Sequence, residues 1–174
     1  NLAGLGFPSP SIVEPSSQSS ESALLHWNMK TWPEGATFTE VRGGGTNKHP
    51  QDPKTTDTDN LFTMNGPQIY KMARKHVYTM LNDDLMTMGI TREDIALLVP
   101  HQASGLAVKA YVKYGQFKSE QVMDIISYTG NCVAASLPLA LAIGYEENRF
   151  KRGDLVYLVG TGAGLSIAST IIRF

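Results

Sequence analysis

The sequence predicts an α/β fold, a mixed five-stranded sheet with helices on its faces. Three observations carry that prediction. Ala96-Leu97-Leu98-Val99 is a short apolar run ended by Pro100, which suits a buried strand stopped by a residue that cannot donate to a ladder. After Asn65 a long stretch places Ile69, Ala73, Val77, Met80, Leu81 and Met88 at helical spacing. The chain then closes on two strand-like runs, 155–159 and 165–172, joined by Gly160-Thr161-Gly162-Ala163-Gly164.

Taken in order, residues 1–21 are rich in Ser, Pro and Gly and read as a loop-rich N-terminal segment. Residues 22–174 read as the folded domain. In it, 22–30 reads as a strand, the turn Trp32-Pro33-Glu34-Gly35 follows, and 36–42 reads as its antiparallel partner. Residues 43–60 hold no apolar side chain and predict a solvated polar loop. The spacing of Asp52, Asp57 and Asp59 fails the EF-hand pattern, and the three glycines at 43–45 lack a phosphate-binding context.

Asn65 suits an N-cap, and Pro67 is tolerated in a first turn. Gly89 ends that helix. His76 falls off its apolar stripe, which predicts a surface residue. Thr91 and Asp94 are spaced for a weak capping box. After Pro100, His101 lies just past the strand's carboxyl end, where ligand chemistry in α/β sheets tends to sit. A helix over 103–114 follows, with Gly115 after its last turn. Val122 to Ile126 reads as another strand. Gly130 permits a tight turn, Asn131 suits an N-cap, and a last helix is expected from about Cys132 to Asn148, with Pro138 kinking it or held near its start. The order is therefore β-β-α-β-α-β-α-β-β.

Composition excludes several classes. Lys plus Arg, 15, nearly balances Asp plus Glu, 16, so no basic field suits nucleic acid or an anionic membrane. No run reaches the ~18 apolar residues of a membrane span. One cysteine, Cys132, excludes an internal disulfide and is compatible with a reducing, cytoplasmic setting. No metal and no cofactor is expected. The chain opens on Asn1 without a leader pattern, so it is expected to be a fragment or one piece of a processed or split protein.

Pro100-His101-Gln102-Ala103 and Gly130-Asn131-Cys132-Val133-Ala134-Ala135-Ser136-Leu137-Pro138-Leu139-Ala140-Leu141 together resemble the C-terminal half of the ketoacyl-ACP synthase III family of thiolase-like condensing enzymes. Met64-Asn65-Gly66-Pro67-Gln68-Ile69-Tyr70-Lys71-Met72-Ala73 is similar to a further stretch of that family. The resemblance is good over about 60–174 and holds only in outline before it, where Ser19-Ser20-Glu21-Ser22-Ala23 replaces the family's Gly-Asp-Gly-Ala-Gly. Ser104, where Asn is common, and the turn at Gly162 also depart.

The resemblance implies one half of a thiolase-like fold. It implies that His101 and Asn131 are two members of a Cys-His-Asn site, with Gly130, Gly162 and Gly164 lining substrate. The reaction would be decarboxylative condensation of a malonyl thioester with an acyl group held on a cysteine of the missing N-terminal half. Acyl-ACP or acyl-CoA, that missing half and a second copy of the protein are the implied partners, and the fragment alone is expected to be inactive. Cys132 itself fits a small structural position better than a nucleophile. Two alternatives stand beside this reading: a non-catalytic thiolase-like subunit that dimerises with and supports a catalytic partner, and a free-standing α/β binding domain.

Overall fold

The structure, a computed structural model, describes residues 21–174. Nearly all of the N-terminal segment read as loop therefore lies outside the described residues. The central sheet has four strands in the order β1, β6, β5, β4. These are β1 (Ala23–Thr31), β4 (Ile95–Pro100), β5 (Leu155–Gly162) and β6 (Ser166–Arg173). The β1–β6 and β5–β6 pairs are antiparallel, and β4–β5 is parallel, so the sheet is mixed. A separate two-stranded ribbon pairs β2 (Thr39–Val41) with β3 (Phe62–Met64).

Three expectations need correction. The stretch 22–30 does not form a hairpin with 36–42. Pro33–Phe38 winds into a 3-10 turn, β1 pairs across the chain with β6, and β2 pairs with β3. Ala23 to Thr31 gains a full-length partner from the C-terminal strand, which a short local hairpin could not offer. The fifth strand at 122–126 contracts to a single parallel bridge, Leu98 to Val122. Beyond it Met123 N–H donates to Leu98 C=O at 2.9 Å, and from Ile126 the chain turns into the short helix α3 (Ile126–Thr129). The last helix, α4 (Ser136–Glu146), begins four residues later than expected, after a 3-10 turn at Val133–Ala135. Pro138 is then its third residue, where the missing donor costs nothing.

The long helix α1 (Gly66–Met88) starts on Asn65, whose side chain accepts from Gln68 N–H at 3.3 Å, and ends at Gly89 with φ 63°. Thr91 and Asp94 form the expected box. Helix α2 (Gly105–Lys113) is capped by Ser104, which accepts from Ala107 N–H at 3.2 Å. Gly115 is demanded by close approach: a Cβ there would lie 2.4 Å from the Tyr111 carbonyl oxygen, and Gln116 takes the left-handed conformation after it.

Burial splits along the strands. Leu98, Tyr157, Ile167 and Ile171 face α1 and α2, packing with Val77, Leu81, Val108 and Tyr111. Leu97, Val99 and Val156 face the other way, toward Ala140, Met123 and Phe150. Adjacent residues of β4 thus serve opposite cores, which is why its run is apolar without alternation. Each such side chain contributes about 1.5–3 kcal/mol of burial. His76, expected at the surface, stacks on Trp32 with ring centroids 4.1 Å apart; partial burial holds its imidazole below the usual value.

Candidate active site

Pro100 is the last residue of β4, and His101 follows it out of the sheet. His101 N–H donates to the Val159 carbonyl at 2.8 Å, so the parallel ladder to β5 continues one residue past the strand. Gln102 then fixes the turn. It is fully buried, donates through Nε2 to Pro100 C=O at 2.9 Å and Met123 C=O at 3.1 Å, and accepts from Ile125 N–H through Oε1 at 3.0 Å. One side chain thereby ties the end of β4 to the segment leading to α3, and the imidazole beside it is held at the carboxyl end of the sheet. His101 is half-buried, and burial pushes its imidazole below the ordinary value, toward the neutral form at pH 7.

His101 opens onto a cavity of about 360 Å3. Val133, Ala134 and Leu137 supply one wall from the segment that runs into α4. Gly160, Thr161 and Gly162 line it from the end of β5, and Met29, Ser166 and Ala168 from β1 and β6. Most of that lining is apolar or small, a setting that strengthens any polar interaction made inside it. Gly160 leaves the room: a Cβ there would sit 3.1 Å from Leu137 Cδ1.

The predicted residues are partly brought together. His101 and Gly162 line the cavity; Gly130, Asn131 and Gly164 are not among its lining residues. Asn131 is exposed and precedes by two residues Val133, which does line the cavity. Its expected cap is local: Oδ1 accepts from Val133 N–H at 2.8 Å rather than from a turn of α4. That bond commits the carbonyl side of the amide and leaves Nδ2 as its donor side. Gly130 has φ 67° and ψ −165°, a conformation open essentially to glycine, and it turns the chain from α3 into Asn131. Gly164, at φ 133°, belongs to the β5–β6 turn. Cys132 is half-buried; its N–H donates to Ser136 Oγ at 3.0 Å, and its thiol donates to the Thr129 carbonyl at 3.4 Å.

Two groups escaped the sequence. Gln102 stood inside a quoted motif, but nothing in the sequence marks its side chain as buried. Asp84 accepts from Asn28 Nδ2 at 2.8 Å and pairs with His26 Nε2 at 2.9 Å through Oδ1; through Oδ2 it accepts from Tyr157 OH at 2.8 Å and Ser169 Oγ at 2.5 Å. The available signal was an acidic residue on the apolar stripe of α1, three and four positions after Leu81 and Met80. Among the described residues, no three His, Cys, Asp or Glu side chains converge as a metal site, and no helix is long and apolar enough to cross a membrane.

Residues 85–174 match the family model described as 3-oxoacyl-[acyl-carrier-protein (ACP)] synthase III C terminal. The chain belongs to this family. A beta-ketoacyl-[acyl-carrier-protein] synthase III of Helicobacter pylori (strain Shi470) is 35% identical over 128 residues, 72% of this chain and 38% of the relative. One from Roseiflexus castenholzii is 30% identical over 164 residues, 94% of this chain and 49% of the relative. The chain thus spans half or less of the curated relatives it matches. The solved synthase III of Pseudomonas aeruginosa PAO1 superposes with TM-score 0.75 at 28% identity, covering 91% of this chain and 47% of that one. That of Thermus thermophilus gives 0.74 at 30%, covering 85% and 45%. The fold is thiolase-like, as the two motifs implied.

Proposed function

We propose that this chain is the C-terminal half of a 3-oxoacyl-ACP synthase III-like acyltransferase and that His101 and Asn131 activate a malonyl thioester. The observation that carries the proposal is a half-buried imidazole, kept toward its neutral form, on the wall of a mostly apolar cavity. The loop carrying Asn131 forms another wall of that cavity, with the amide's oxygen already occupied.

Loss of CO2 from a malonyl thioester leaves an enolate, and charge collects on the thioester oxygen. A ring nitrogen of His101 and Nδ2 of Asn131 donate hydrogen bonds to that oxygen. Donors fixed in advance act on charge as it develops, and one such donor is worth ~3–4 kcal/mol. The enolate carbon then attacks the acyl thioester on a cysteine of the N-terminal half; the carbon–sulfur bond breaks, and the thiolate leaves. In this reading the N-terminal half and a second copy of the whole protein complete a cytoplasmic enzyme that uses acyl-ACP or acyl-CoA, while Gly130 and Gly164 shape the substrate's approach from outside the cavity. The fragment alone lacks a nucleophile. Cys132 is spent on local hydrogen bonds.

The test separates the half-reactions in the full-length protein. His101→Ala and Asn131→Ala are each expected to slow malonyl decarboxylation by about two to three powers of ten. Acyl transfer to the nucleophile suffers less from Asn131→Ala, and Cys132→Ser leaves both steps nearly intact. Decarboxylation unchanged in both alanine variants would return the chain to the reading of a supporting subunit.

A further inference from the structure

We infer that Val133 sets the size of the acyl group that the cavity beside His101 accepts. This rests on the proposed function for the kind of substrate, an acyl thioester.

Three non-glycine residues among those described have positive φ: Gln116, Val133 and Asn148. Gln116 and Asn148 follow the last turns of α2 and α4, where left-handed residues commonly end helices. Val133 ends no helix. It is β-branched, its φ is 53°, and a branched side chain is the least suited to that region. It also belongs to neither apolar core and is 74% exposed, so packing within the chain does not explain it.

The surrounding backbone explains how the conformation is held. Val133 N–H donates to Asn131 Oδ1 at 2.8 Å, Ala135 N–H donates to Cys132 C=O at 3.0 Å, and Cys132 N–H donates to the buried Ser136 hydroxyl at 3.0 Å. Bonds on both sides fix the peptide, so the isopropyl group cannot withdraw by a backbone shift. It lines the cavity together with His101, Met29 and Leu137. An unpacked branched side chain, held in a disfavoured conformation on the wall of a reactive cavity, is a steric gauge. A smaller residue there enlarges the space next to the imidazole; a larger one closes it.

The experiment measures kcat/KM of the full-length protein for an acetyl thioester and for a branched five-carbon acyl thioester, and takes their ratio. Val133→Gly adopts the same φ freely and keeps the N–H, so it is expected to raise the branched-to-acetyl ratio by about tenfold or more, the worth of one or two methylenes in an apolar site. Val133→Phe is expected to lower the ratio, and Val133→Thr, nearly identical in outline, to keep the wild-type value. A purely structural residue would lower both rates together and leave the ratio unmoved across all three variants, which would overturn the inference. If the wild type transfers neither acyl group nor any other thioester, the proposed function fails and takes this inference with it.

Discussion

Asp84 is the one charged side chain, among the described residues, in the fully buried polar set, and four donors converge on its two oxygens. They come from β1, β5 and β6, so a single carboxylate on α1 ties the helix to three strands of the sheet. The Tyr157 hydroxyl is pushed far above its ordinary value, first by burial and then by the charge of Asp84 beside it. Replacing Asp84 by Ala removes every acceptor at once and strands buried donors. The expected loss is about 3–5 kcal/mol, the cost of leaving several buried donors without an acceptor. Asp84→Asn keeps one oxygen, and the Tyr157 and Ser169 hydroxyls can turn to accept from its amide. It should cost less, about 1–3 kcal/mol. Urea unfolding of the two variants measures both values, and equal losses would contradict this account of the network.

At the scale of elements, the decisive piece is the connection from α3 to α4. Gly130 makes a turn that other residues resist, Asn131 caps Val133 within the loop, and α4 waits until Ser136 to begin. Regular helix from Cys132 would have carried Val133 into a first turn instead of along the cavity wall, and Asn131 into its N-cap. Gly130→Ala therefore has a dual expected outcome. Stability falls by about 1–3 kcal/mol from the forced backbone, and decarboxylation falls further than stability explains, because Asn131 is re-aimed. Thermal unfolding compared with the half-reaction rate on the folded variant separates the two; a variant that loses stability but keeps its full rate would show that the turn does not aim Asn131.

For the whole molecule, the sheet is covered unevenly. His26 and Asn28 of β1 reach Asp84 on the α1 side, so alternation places Trp27 and Met29 on the opposite face. There they are 56% and 61% exposed, next to the exposed Ala168 of β6 and continuous with the cavity. Patches of this kind mark interfaces. In the proposed reading the occupant is the N-terminal half; the chain spans 38–49% of the relatives' length. The isolated chain should self-associate in light scattering, and the double change Trp27→Glu with Met29→Glu should return it to a monomer. A wild-type chain that stays monomeric at high concentration would count against an uncovered interface.

The placement of His101 at the end of a buried strand was legible in sequence because its signals are local. Pro100 stops a strand wherever that strand lies, Asn65 caps a helix through a neighbour three residues away, and the two motifs around His101 and Asn131 carry the family likeness by residue type and spacing. The β5–β6 hairpin was equally local. What needed the third dimension was pairing at long range. Whether 23–31 joins 36–42 or the C-terminal strand is decided by competing partners 135 to 150 residues apart in the register of β1 with β6, for example Ala168 opposite Met29, and no short-range pattern encodes that choice. The same holds for Asp84 and Gln102, whose polarity reads as surface in the sequence. Only folding gathers four donors around one and three backbone groups around the other, because burial of a polar side chain is tolerable solely where its partners arrive with it.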